Sequence, residues 1–149
     1  LAESGNLITH DKDKTVLTLL NVKRVIDTDL LTISPESNLG ELTKLIEKSK
    51  RNLFPVVDDD GLYIGVVDMD DVRLDMFHEE KYQNPISDYV LDVKEKVSYS
   101  DSMETVMEKF RNTGYYNLPV VDNGKYIGFV SRANIFKAYR KVLQDVSMD

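Results

Sequence analysis

Apolar and polar positions along the chain follow one plan, used twice. In its first use, residues 25–33 carry Leu30, Leu31 and Ile33 and end at Ser34-Pro35, which predicts a short extended lead closed by a proline turn. Leu39, Leu42, Leu45 and Ile46 then recur at helical spacing, so 37–49 is expected to be an amphipathic helix. Ser37 or Asn38 is its cap, with Glu41 three residues after Asn38 as in a capping box, while Lys48, Lys50 and Arg51 suit its C-terminal end. Residues 54–57 read as a buried strand, Asp58-Asp59-Asp60-Gly61 as a turn and 62–67 as the return strand. A helix over 68–77 follows, with Val72, Met76 and Phe77 facing inward.

The second use repeats the order. A lead strand is expected over 89–98, and Ser102 caps a helix through Thr113 with Met103, Val106, Met107 and Phe110 on its apolar face. Gly114 ends that helix with a left-handed cap. Strands at 118–121 and 126–130 flank Asn123-Gly124, a strong hairpin signal. Ser131 opens the last helix, with Ile135, Phe136, Tyr139 and Val142 on one side. Ahead of both repeats, 1–11 read as a poorly ordered polar lead-in, and 9–20 as a short linker helix with Val16, Leu17, Leu19 and Leu20 apolar.

The division expected is therefore 1–21 linker and helix, 22–78 first repeat, 79–85 inter-repeat linker and 86–146 second repeat. The fold class is α/β of the α+β kind, two β-α-β-β-α repeats. A repeat of roughly 60 residues is too small to cover its own sheet, so the two are expected to pack sheet to sheet about a pseudo-twofold axis.

Composition narrows the function. Of 149 residues 42% are hydrophobic and 30% charged, as in an ordinary globular chain. The net charge of -7 argues against nucleic acid as a partner, which calls for a basic footprint, but leaves room for a single nucleotide held by local donors. With no cysteine, disulfides, thiolate metal sites and cysteine nucleophiles are excluded. No apolar run is long enough to insert into a membrane. The chain opens on Leu1, which is read here as the start of a piece cut from a larger host.

Two hairpin phrases carry a resemblance. Phe54-Pro55-Val56-Val57-Asp58 and Leu118-Pro119-Val120-Val121-Asp122 are each followed by a glycine-led apolar stretch, Gly65 to Asp71 and Gly128 to Asn134. Over roughly 22–146 this resembles the tandem CBS-domain pair, or Bateman module. More finely, it looks like the C-terminal cytoplasmic tail of prokaryotic CLC chloride channels. That finer likeness rests on Ile8 to Asp13, Asp101 to Met107, Asn117 to Val121, Gly128 to Ser131 and Tyr139 to Leu143. The resemblance implies a homodimer, a parent membrane channel, a place on the cytoplasmic side of the cell membrane, and an adenine nucleotide (ATP, ADP or AMP) in the cleft between repeats.

On residue chemistry alone Ser131 is first an N-cap, with Asn134 three residues on. The same geometry also suits a phosphate, because a helix N-terminus offers free N–H groups and a positive dipole end. Ser131 would donate to the phosphate, Asn134 would bond ribose hydroxyls, and Arg132 would add charge if turned inward. The resemblance implies Thr or Ser and Asp at these two places, so Asn134 is a departure. Restoring the acid by Asn134→Asp is expected to tighten the complex.

The first repeat departs the other way. Asp71 keeps the ribose acid, and Asp68 stands where the hydroxyl belongs, an excellent cap but a poor phosphate neighbour. A divalent ion bridging Asp68, Asp70 and phosphate is the lesser reading, and no metal is expected. Candidates for an adenine slot are Arg51, Asn52 and Leu53 in one repeat and Tyr115, Tyr116 and Asn117 in the other, with Thr32 by resemblance. The tyrosines read first as core or dimer-interface residues and only second as an adenine slot. By resemblance Thr32, Arg51 and Asn52 would face Ser131 and Asn134.

Asp58-Asp59-Asp60-Gly61 is no EF-hand, since Val67 stands at the twelfth place. His10 and His78 lack metal-type partners at useful spacing, and no nucleophile–base set can be assembled, so an enzyme is the weakest reading. A regulatory nucleotide-binding module and a ligand-free dimerisation module are the two that stand.

Overall fold

The computed structural model describes residues 15–148, with side chains as far as residue 145. Residues 15–19 are helical (α1), and α2 is one turn, Val22–Val25, capped by the Asn21 side chain. There follow α3 (Leu39–Lys48), β1 (Leu53–Val57), β2 (Tyr63–Asp68), α4 (Met69–Val72), α5 (Met103–Thr113), β3 (Asn117–Asp122), β4 (Lys125–Ser131) and α6 (Arg132–Met148). Two 3-10 turns lie at Glu79–Lys81 and Ile86–Asp88. The class is α/β, with two two-stranded sheets, β1–β2 and β3–β4. The polar start and the first half of the lead-in helix lie outside the described residues. Among the described residues no helix is long and apolar enough to cross a membrane.

The local signals act where the sequence puts them. Asn38 caps α3, its Oδ1 accepting the Glu41 N–H at 2.9 Å, and Ser102 caps α5 through the Thr105 N–H at 3.1 Å. Gly114 sits at φ 73 and returns its N–H to the Phe110 carbonyl. Asn123 and Gly124 have φ 51 and 82, the two left-handed residues that a two-residue hairpin turn needs.

The leads differ from expectation. Val25 ends α2, and each extended stretch shrinks to two single-residue bridges at matching places. Ile33 lies parallel to Val56 and Val97 parallel to Val120, so each lead joins its own hairpin. The earlier bridge in each lead goes to the other repeat: Asp27 pairs antiparallel with Phe129 on β4, and Leu91 with Val66 on β2. A Cβ at Gly65 would stand 2.6 Å from Val90 Cγ1 and 2.7 Å from the Leu91 carbonyl oxygen, so only glycine leaves room there for the lead.

The chain accordingly divides into two compact units that are not the two repeats. The first takes the described chain up to Asp27, Glu95–Val120 and the part from Phe129 on; the second takes Thr28–Lys94 and Val121–Gly128. Buried in the first are Val22, Met103, Val106, Phe110, Leu118, Val130, Ile135 and Val142 among others.

The second unit has a core of Ile33, Leu39, Leu42, Phe54, Val56, Val67, Val72 and Ile86. Each such side chain, fully buried, stabilises by about 1.5–3 kcal/mol. Both hairpin turns belong to this unit. The Tyr63 N–H donates to the Gly124 carbonyl and the Tyr126 N–H to the Gly61 carbonyl, both at 2.9 Å, and the two rings stack at 6.4 Å. Burial pushes the Tyr63 hydroxyl well above the ordinary phenol range, with Asp92 and Tyr126 adding to it.

The stretch 79–85, expected as the inter-repeat linker, is a clamp on α3. Its Tyr82 and Asn84 carbonyls accept the Gly40 and Leu39 N–H groups at 3.0 and 2.9 Å, two of the donors a helix start leaves orphaned. Just before it, α4 stops at Val72, five residues short of the expected end. The turns that follow carry Asp75 to Lys81 Nζ at 2.9 Å and to the Tyr89 hydroxyl at 2.8 Å, and the Met76 carbonyl to the Tyr82 hydroxyl at 2.9 Å. With the helical register broken, Phe77 faces solvent at 76% exposure rather than the core. Phe136 is likewise 58% exposed, because Ile135 and Val142 define the buried side of α6.

Candidate functional site

At the mouth of α6, β4 hands the chain to a 17-residue helix. Ser131 ends the strand half-buried, and its Oγ accepts the Asn134 N–H at 3.0 Å. That is the cap read from sequence, and it leaves the hydroxyl hydrogen free to turn toward an anion. Asn134 does not simply face solvent. Its amide Nδ2 donates to Asp27 Oδ2 at 2.6 Å. Asp27 is delivered by the bridge to Phe129, whose two backbone hydrogen bonds measure 2.8 and 2.9 Å.

Asp27 is the functional candidate that sequence reasoning passed over. A carboxylate missing at 134 is restored beside it by a residue 107 positions away. Nothing in local spacing signals this. The pairing depends on the first lead crossing to β4, a non-local event. Together the Asp27 carboxylate and the Asn134 carbonyl oxygen are acceptors suited to hydroxyl donors.

Arg132 is occupied otherwise than expected. Its Nε donates to the Tyr115 carbonyl at 2.7 Å and a terminal nitrogen to the Phe110 carbonyl at 2.6 Å. The guanidinium lies over the Phe110 and Tyr116 rings, 5.6 and 5.5 Å from their centroids. A cation on the last carbonyls of α5 is favoured by that helix's negative end. Arg132 thus ties α5 to the start of α6.

The candidates of the two repeats fall in different units. Tyr116, Asn117, Ser131, Arg132 and Asn134 are brought together in the first, where the Arg132 N–H donates to the Tyr116 carbonyl at 3.0 Å and Asn117 opens β3. Thr32, Arg51, Asn52, Asp68 and Asp71 belong to the second. There the Met69 N–H meets the Asn52 carbonyl at 2.9 Å, the counterpart of the Arg132–Tyr116 bond. Asp68 caps α4, accepting the Asp70 N–H at 2.9 Å, and Asp71 and Thr32 are exposed. The Arg51 guanidinium pairs with Asp29 at 3.1 Å. Among the described residues no group of three or more acidic or histidine side chains is arranged to hold a metal ion.

Two depressions adjoin α6. One, of about 600 Å³, is lined by Leu17, Met107, Tyr116, Phe136 and Tyr139 with Arg111 and Arg132, and is almost wholly apolar. The other, of about 370 Å³, is lined by Arg24, Val25, Ile26, Asp27, Asn134, Lys137, Ala138 and Lys141.

Comparison with known proteins agrees with this anatomy. Inosine-5'-monophosphate dehydrogenase of Methanocaldococcus jannaschii is 24% identical over 133 residues, which are 89% of this chain and 26% of that enzyme. The chain spans between a quarter and three-fifths of the length of the first curated relatives it matches. Among solved structures, CBSX2 in complex with AMP has a TM-score of 0.68 at 25% identity, covering 82% of this chain and 97% of that one. CbpB in complex with c-di-AMP has a TM-score of 0.73 at 19% identity, covering 92% and 95%. The CBS domain matches residues 22–77 and again 86–141. With both matches falling on the two hairpin-centred repeats, the chain belongs to the CBS-domain family and carries two such domains in tandem.

Proposed function

We propose that this chain is a regulatory module that binds an adenine nucleotide (AMP, ADP or ATP) through Ser131, Asn134 and Asp27, and that occupancy biases a linked host protein. CBS pairs are regulatory modules, and two neighbours in fold were solved with AMP and with c-di-AMP. The observation that carries the reading is the Asp27–Asn134 contact of 2.6 Å at the mouth of α6. It gives the ribose hydroxyls a carboxylate although Asn134 is an amide, and leaves the Ser131 hydroxyl hydrogen and the positive end of the α6 dipole for phosphate. Asp68 caps α4 as a carboxylate and disfavours phosphate there, so the second unit's set (Thr32, Arg51, Asn52 and Asp71 with it) is proposed only for the base and sugar. Regulation follows if the nucleotide binds two states of the host with different affinity.

Titration of the chain with AMP, ADP and ATP, read by calorimetry and thermal unfolding, tests this. A ligand at one hundred times its Kd stabilises by about 2.7 kcal/mol. Ser131→Asp should abolish the response. No response to any of the three at millimolar concentration would sink the reading.

One observation favours a second role as a dimerisation module. Tyr116 and Phe136, 74% and 58% exposed, line the same apolar groove, and we propose that a second copy of the chain covers it. Phe136→Asp should then turn a dimer into a monomer in sedimentation equilibrium; a wild-type monomer at high concentration would remove this role. A chloride channel as host, on the cytoplasmic side of the membrane, is proposed on the sequence resemblance alone. A run of long apolar segments encoded ahead of Leu1 is the test.

A further inference from the structure

The smaller depression holds three cations that the nucleotide reading does not use. Arg24, Lys137 and Lys141 all line it, and all three are exposed. None of them forms an ion pair among the described residues. The placement is unfavourable by itself. Lys137 and Lys141 are four apart on α6, where like charges destabilise a helix by roughly 0.2–0.5 kcal/mol, and Arg24 adds a third from α2. Such a gathering also runs against a chain whose net charge is -7.

The order along α6 is informative. Asn134, Lys137, Ala138 and Lys141 lie on one stripe of the helix, with Asp27 held at the Asn134 end. Hydroxyl acceptors thus stand at one end, and the last cation, Lys141, lies about 10 Å further along the helix from Asn134. Val25, Ile26 and Ala138 form the apolar wall between.

We propose that this pocket is an anion site for a chain of phosphates, gripped by Arg24, Lys137 and Lys141. Its ligand class is a di- or triphosphate, and a single phosphate leaves part of the cation row empty. The site adjoins the Asp27–Asn134 pair of the nucleotide reading but needs no adenine slot, and its three cations outnumber the one carboxylate, Asp27, in the same lining.

Inorganic tripolyphosphate is the probe, titrated into the whole chain at low ionic strength and followed by calorimetry and by amide NMR shifts. The expected result is saturable binding, with the largest shifts at 24, 137 and 141, weakened about tenfold or more in the double variant Lys137→Gln/Lys141→Gln. Lys44→Gln/Lys48→Gln, the same loss of charge on exposed positions of α3, should leave the affinity unchanged. Absence of saturation, or equal weakening in both double variants, overturns the proposal. Binding of AMP without binding of tripolyphosphate would overturn it too, while leaving the nucleotide reading in place.

Discussion

Position 134 carries an amide where the first repeat has the carboxylate of Asp71. From sequence, Asn134→Asp promises a stronger ribose contact. The contact with Asp27 argues for the opposite outcome. A second carboxylate would stand where the amide now meets Asp27 at 2.6 Å, trading a charge-assisted hydrogen bond for repulsion. Asn134→Asp should therefore weaken nucleotide binding about tenfold and lower stability, and Asp27→Asn should restore part of both. Isothermal calorimetry on the two single variants and the double decides it. Two glycines offer a contrast of mechanism at the same scale. Gly114 has open space around it and a φ of 73, so Gly114→Ala costs only backbone strain, roughly 1–2 kcal/mol. Gly65 has no such φ, but a Cβ there meets Val90 and the Leu91 carbonyl, so Gly65→Ala should cost about 1–3 kcal/mol by displacing the lead. Urea unfolding separates them if amide exchange is followed at Leu91, which should accelerate in the second variant alone. The caps at Asn38, Ser102 and Gly114 were legible because a cap is settled within four residues. Asp27 was not, because its role depends on a partner 107 positions distant.

Among elements, the clearest departure from the sequence pattern is α4. Periodicity extends it to Phe77, yet the chain turns after Val72 and spends Asp75 on a clamp. The competing bonds come from Lys81 and Tyr89, and no count of local apolar positions registers them. This clamp has a pH signature. The hydrogen bond from Lys81, then that from the Tyr89 hydroxyl, hold the Asp75 carboxyl below the ordinary carboxylate range. A lowered folded value means a contribution fully present above the unfolded carboxylate pKa of about 4, and lost as pH falls through the lower folded value. Acid should loosen 75–89 while the two hairpins keep their protection, as read by amide exchange between neutral pH and about pH 3. Tyr89→Phe should move the midpoint of the Asp75 carboxyl upward in an NMR titration. The hairpins themselves were legible, since Asn123-Gly124 and Asp58 to Gly61 fix their turns locally. That both turns meet in one unit, through Gly61, Tyr63, Gly124 and Tyr126, was not.

At the scale of the molecule, the repeat is the unit of sequence but not the unit of packing. Cutting between Lys94 and Glu95 yields two halves, neither holding a complete unit, because the lead through Asp27 belongs with α5 and α6. Each half alone should lack cooperative unfolding, and an equimolar mixture should recover it, with circular dichroism as the readout. Halves that fold separately would contradict the exchange of leads. The two crossings, Asp27 to Phe129 and Leu91 to Val66, are reciprocal. A single repeat with the same habit has nowhere to lay its lead except on a twin, as in a domain-swapped dimer. Carrying both repeats in one chain makes that encounter intramolecular, no longer dependent on protein concentration.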